Sequence, residues 1–343
     1  MENTTTQNVT GNFLNSSDTL NGTGSRGPTH SSQASFYVSL VLIWIPGFFT
    51  NLLALFFIIR DIKKAIFPAI VLLLVLCTSD LIATCFSFTH SMLKMFVPGF
   101  DYDKCASLSI LHAFFKLYSG VMNVLMAVDR VMAICTPFYY KRHVSVNTWK
   151  VGSLIAAAAV ATLNLFPLMG LGSFTGIRNT GEIYCTSVGY KAKWIERVYG
   201  FAFSLAGIIC IFAIVGLNAV LIRALLRLSS KVVSFVPSET TISTTGNDSN
   251  SSKANQTSFE IAFAKLMLGL ATVYLVCDTP YNVLFFLQQF NITLEQGVAG
   301  YIHLLAGFSY TCDPMVYILI RKTKRSRLKD LCCNRNGSNV TTN

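Results

Sequence analysis

Four ionisable side chains stand alone in stretches where charge is otherwise excluded. Asp80, Lys116, Asp278 and Asp313 are each the sole Asp, Glu, Lys or Arg in a run of more than twenty residues. An acid and a base, Asp129 and Arg130, follow directly on the run that holds Lys116. A charge in apolar surroundings is costly unless it is paired or hydrated. Lys116 therefore calls for a carboxylate, and the lone acids for a cation or a hydrogen-bond donor. Three histidines share these runs. His112 lies four residues before Lys116, on the same helix face, and His90 and His303 fall in two others. If the fold brings them together, a lysine and three imidazoles could receive an acidic ligand. Catalysis is not indicated: the chain has no His-Glu-x-x-His helix, no Gly-x-Ser-x-Gly turn and no His/Cys cluster at metal-ligand spacing.

The elements that must carry these groups cross a membrane. Hydrophobic residues make up 52% of the 343, charged residues only 13%, and the mean hydropathy is +0.52. Soluble domains carry about 25% charged residues, so an ordinary soluble enzyme is excluded. So is a nucleic-acid partner, because the net charge of +11 is spread between apolar stretches. Runs 27–59, 65–93, 106–128, 151–177, 198–222, 266–294 and 296–320 hold at most one charge each. Each can supply the roughly 20 residues that span a bilayer. Backbone groups in lipid must pair within the segment, which requires helices here; stretches such as 208–215 lack the alternation of a membrane β-strand. The expected fold is an all-α bundle of seven transmembrane helices.

Seven crossings place the two ends of the chain on opposite sides. Of the 27 Lys and Arg residues, seven fall on the side of the N-terminus, nineteen on the other and one, Lys116, within a span. The excess marks the cytoplasm, so the N-terminus is expected outside the cell and the C-terminus inside, at the plasma membrane. Residues 1–35 read as a disordered extracellular arm with glycosylation sequons at Asn3, Asn8, Asn15 and Asn21. Cys105 and Cys185 both fall on the oxidising side, where a bridge would tie the third helix to the loop after the fourth. Residues 36–322 form the bundle. Residues 323–343 read as a basic, amphipathic eighth helix and tail, in which Cys332 and Cys333 suit palmitoylation against membrane lipid. The Ser/Thr/Asn-rich stretch from Ser238 to Ser258 reads as a disordered loop open to phosphorylation.

The motifs come in a telling order. Asn51 lies in the first span and Asp80 in the second; Asp129-Arg130-Val131 ends the third, twenty-five residues after Cys105. Cys277-Asp278-Thr279-Pro280 kinks the sixth, and Asp313-Pro314-Met315-Val316-Tyr317 closes the seventh. Together they resemble a rhodopsin-like (class A) G-protein-coupled receptor along residues 36–333. Asn51-Leu52-Leu53-Ala54-Leu55, Leu168-Met169-Gly170-Leu171-Gly172 and the ending Asp313 to Lys322 resemble the prostanoid branch. Three positions depart from that branch: Leu304 stands where its members place an arginine for the ligand carboxylate, Asp129 replaces a glutamate, and Tyr184 precedes Cys185 in place of tryptophan.

The resemblance implies roles. Asp80, Asp313, Ser119 and Asn51 would form a polar cluster that binds an allosteric sodium ion, since two carboxylates in one low-dielectric pocket repel unless a cation or proton is shared. Arg130 would be held by Asp129 at rest and released toward a heterotrimeric G protein when the sixth helix swings out, with Tyr317 supporting the open form. Lys116 and Asp278 would face each other on the floor of a ligand pocket lined by His90, His112 and His303, and we expect them to form an ion pair between the third and sixth helices. A receptor of this kind also implies arrestin and a receptor kinase as partners, and no enzymatic activity. The ligand expected is a small lipid mediator such as a prostanoid, with a peptide or amine as the alternative. A transporter is the rival of another class, and it would tend to show inverted repeats; the sequence shows none.

Overall fold

The computed structural model describes residues 36–63, 68–96, 102–172, 175–177, 183–185, 194–234, 248–290, 292, 294 and 296–337. Backbone alone is defined at 94–95, 102–106, 175–177, 183–185, 228–234, 248–263, 296–297, 320 and 322–337. The expected arm 1–35, with Asn3, Asn8, Asn15 and Asn21, lies outside the described residues. The side chains of Cys105, Cys185, Cys332 and Cys333 do too, as does the stretch 235–247.

Among the described residues seven long helices dominate. They are α1 (Ile45–Ile62), α2 (Pro68–Phe96), α3 (Tyr102–Cys135), α4 (Val146–Asn164), α5 (Trp194–Ser234), α6 (Asp248–Gln289) and α7 (Gln296–Gly337). A π-helical turn, Leu40–Trp44, leads into α1 just before Pro46. Proline lacks an N–H and crowds the carbonyl four residues back, which accounts for the widened turn. A seven-residue helix, Pro137–His143, joins α3 to α4. Ser145 opens α4 with a reciprocal cap: its hydroxyl accepts from the Thr148 N–H at 3.3 Å, and its own N–H donates to the Thr148 hydroxyl at 3.1 Å. Past α4 the chain makes a short 3₁₀ turn, Phe166–Met169, and reverses at Gly170, whose φ of 82° suits glycine.

The helices close a ring in the order α1, α2, α3, α5, α6, α7 and back to α1, and α4 packs outside against α2 and α3. This ring brings α3 against α6 and α2 against α7, so the isolated charges of distant runs converge. Two short antiparallel strands, β1 (Thr175–Ile177) and β2 (Ile183–Cys185), pair with Gly176 opposite Tyr184 and lie against α3. The surface is inverted relative to a soluble protein: Phe49, Phe56, Leu154 and Phe212 point outward, whereas Asn51, Asp80, Asn123 and Asp313 are buried. Lipid, not water, is the expected neighbour of such faces. Small residues set the closest approaches, as membrane helices require. A Cβ on Gly207 would overlap the Asn282 amide, and one on Gly120 would crowd the Tyr274 hydroxyl.

Six of the described helices are long and apolar enough to cross a membrane. α7 is not among them, because it carries His303, Ser309, Tyr310, Thr311 and Asp313 in the turns before Pro314. It still completes the ring against α1 and α6. The segment expected to form an eighth helix is helical and continues α7 without a break to Gly337. No Gly or Pro occurs between Pro314 and that residue to end it. One expectation is corrected. Residues 248–258 were expected in a disordered loop and are the first three turns of α6. An apolar span is a ready nucleus, and extending a helix costs far less than starting one.

Candidate ligand pocket and coupling switch

Lys116 and Asp278 are brought together by the packing of α3 on α6. The ammonium of Lys116 pairs with Asp278 Oδ1, with side chains 7% and 2% exposed. Lys116 Nζ also donates to the Ala306 carbonyl of α7 at 2.7 Å. The Tyr310 and Tyr281 rings lie 5.1 and 5.2 Å from it, within cation–π range. One lysine thus joins three helices. Pro280, two residues beyond Asp278, removes a backbone donor from α6 and makes this level its weakest point in bending. Removing one member of such a pair strands the other in a medium that cannot solvate it.

The histidines gather on the same side of this knot. His112 lies one turn from Lys116 and within electrostatic reach of Lys116, His90 and His303. His303 meets the Tyr281 and Phe285 rings edge-on, at 5.4 and 5.8 Å. His90, Lys116 and His303 therefore all lie within reach of His112, and Asp278 pairs with the lysine of this group.

The second cluster is more deeply sealed. Asn51 and Asp80 are fully buried, and Asp313 and Ser119 nearly so. Pro314 cannot donate to the carbonyl four residues back, that of Tyr310, and Asn51 Nδ2 supplies the missing donor at 2.9 Å. Both Asp80 oxygens, Asp313 Oδ1 and Asn51 Oδ1 are buried without a hydrogen-bond partner. Ser119 stands beside Asp80 without completing hydrogen-bond geometry. Orphaned oxygens on two carboxylates and an amide fit a monovalent, oxygen-seeking cation such as sodium. Among the described residues no group of three or more His, Cys, Asp or Glu could hold a metal ion.

The third cluster lies at the far end of the bundle. Arg130 Nε donates to Asp129 Oδ2 at 2.8 Å, and its Nη2 pairs with the same oxygen. The Tyr140 hydroxyl, on the short helix after α3, donates to the other Asp129 oxygen at 2.7 Å. Tyr317 does not reach toward Arg130: its hydroxyl donates to Asp61 Oδ2 on α1 at 3.1 Å. Asp61 Oδ1 also accepts from Arg321 Nη2 at 2.6 Å. Tyr140, Asp61 and Arg321 were missed in the sequence. The available signal was Asp61 as the one acid beside Arg60, Lys63 and Lys64, four residues after Phe57, as Arg321 is four after Tyr317.

A closed ring of apolar helices with buried charges at three levels defines a polytopic membrane protein. Residues 31–317 match the family described as 7 transmembrane receptor (rhodopsin family), and the chain belongs to that family. Its relatives are receptors rather than enzymes. The chain is 28% identical over 221 residues to the human gonadotropin-releasing hormone receptor, covering 62% of this chain and 64% of that protein. It is 24% identical over 237 residues to the prostaglandin E2 receptor EP3 subtype of Bos taurus (64% of this chain, 53% of the relative). It is 25% identical over 239 residues to the human thromboxane A2 receptor (66% and 63%). In each case the chain spans less than two thirds of the relative's own length.

Proposed function

We propose that the chain is a plasma-membrane receptor that activates a heterotrimeric G protein when a small acidic ligand, a prostanoid or another lipid mediator, enters from outside. The observation that carries this reading is Lys116, a base that joins α3, α6 and α7 within reach of His112. A ligand carboxylate received by His90, His112 and His303 competes with Asp278 for Lys116. Loss of the pair frees α6 to pivot at Pro280, and Arg130 then leaves Asp129 for the G protein. A ligand shifts such an equilibrium only by its differential affinity for the two states, and exchange of Lys116 between carboxylates supplies that difference.

The remaining parts fit this topology. The N-terminus faces outward with glycans on Asn3, Asn8, Asn15 and Asn21. A Cys105–Cys185 bridge holds the loop that carries β2, and Cys332 and Cys333 carry palmitate. Sodium among Asp80, Asp313, Ser119 and Asn51 stabilises the resting state. Arrestin and a receptor kinase end the signal.

A second reading, a peptide or amine ligand, is favoured by Leu304, which leaves the upper part of α7 without a fixed cation. The test is a cell-based screen of lipid mediators, peptides and amines with separate cAMP and calcium readouts. A response to acidic lipids that Lys116→Ala abolishes supports the first reading. A response to peptides or amines alone removes it and leaves the receptor role standing.

A further inference from the structure

Among the described residues, hydrogen bonds at three levels tie α1 and the π-helical turn before it to α7, and they differ in kind. At the upper level the Thr311 hydroxyl donates to the Ile43 carbonyl at 3.1 Å, and below it Asn51 donates to the Tyr310 carbonyl at 2.9 Å. Both are neutral, buried and made to backbone. The lowest contact is charged and built from side chains alone. Phe57 and Asp61 lie one turn apart on α1, and Tyr317 and Arg321 lie one turn apart on α7, so two helical faces interlock. Tyr317 and Arg321 take one oxygen each of Asp61, and the Arg321 guanidinium lies 4.2 Å from the centre of the Phe57 ring. Asp61 is 31% exposed and Arg321 13%, so water and a partner can reach this tie, unlike the two above it.

Pro314 lies between the upper ties and the lower one. It removes one rung of the α7 hydrogen-bond ladder, and the segment beyond it can bend as a unit. A hinge with fixed contacts above and one solvent-reachable contact below allows two positions: latched on α1, as seen here, or swung away.

We propose that Asp61 is a positioning residue for Tyr317: it latches the hinged inner end of α7 to α1, and release of the latch precedes coupling. The inference rests on the reading of that end of α7 as part of the coupling switch. In the latched position Tyr317 faces α1 and Arg321 is neutralised. On release the tyrosine is free to turn toward the bundle axis, and Arg321 joins the basic run that begins at Lys322, which favours an acidic partner surface.

The test uses the full chain with 3-fluorotyrosine at position 317, reconstituted in lipid nanodiscs. The fluorine resonance reports the acceptor of the Tyr317 hydroxyl and needs no G protein. Asp61→Asn keeps shape and removes charge, Arg321→Gln attacks the latch from the other helix, and Asp61→Glu keeps the carboxylate. The expected result is a shifted resonance in Asp61→Asn and Arg321→Gln, with Asp61→Glu at the wild-type position. Ligand-independent nucleotide exchange at equal surface expression should rise about three-fold in the first two variants, because a partly exposed tie holds only a modest population difference. An unmoved resonance in Asp61→Asn overturns the latch. A moved resonance with unchanged exchange, in a receptor that does respond to ligand, overturns its role in coupling. A wild-type chain that drives no exchange on any G protein sinks the receptor reading instead, and the resonance alone then decides the latch.

Discussion

The α3–α6 level and the inner mouth use the same chemistry, a base against a carboxylate, in opposite settings. Lys116 and Asp278 are sealed, 7% and 2% exposed, and the lysine is further held by a carbonyl and two aromatic faces. Arg321 and Asp61 are 13% and 31% exposed and sit against one aromatic ring. Attraction between unit charges grows as water is excluded, and so does the penalty for leaving one alone. The sealed pair therefore has few substitutes for its partner and suits a switch thrown by a specific ligand. The open pair can trade its partner for water and suits a latch that yields when the helices above it move.

The contrast predicts a graded series of effects. Lys116→Ala, which strands Asp278, should lower the stability of the purified receptor by about 3–5 kcal/mol, read as a fall in its thermal midpoint. A loss no larger than that of the inner-mouth variants would erase the distinction. Tyr140→Phe, which removes a donor to the charged Asp129, should cost about 1.5 kcal/mol and raise ligand-independent exchange. With the proposed sodium site, the unaltered chain should show a change of about five-fold in agonist affinity with sodium, and Asp80→Asn should abolish it. Persistence of that response would place the cation elsewhere. Arg321→Lys keeps the charge but loses the planar fork on Phe57, and should change stability by less than about 1 kcal/mol. A larger change would show that stacking, not charge, holds the latch.

Much of this was legible in the sequence, for one physical reason. Lipid leaves no charge without a purpose, so Asp80, Lys116, Asp278 and Asp313 announce themselves in apolar runs. The packing of α3 on α6 then follows from the family's ring of helices, and the ion pair from the packing. The inner mouth was less legible because charge is ordinary there. Asp61 among Arg60, Lys63 and Lys64 looks like a solvated loop residue until α7 is seen to lie on α1. Tyr140 likewise acquires its role from the short helix Pro137–His143, which no long periodicity signals. The extension of α6 down to Asp248 was misread because Ser- and Asn-rich composition argues against helix locally, while propagation from an apolar span overrides it.

The proposed coupling of Lys116 and Asp278 closes the resting receptor as one unit. It is tested most directly by a double-mutant cycle on ligand-independent nucleotide exchange, at equal surface expression, for Lys116→Ala, Asp278→Ala and the two combined. The pair predicts that each single change disturbs exchange strongly and that the double variant returns part of the way to the unaltered chain. Effects that simply add would show that the two charges act independently, and the α3–α6 switch would be contradicted.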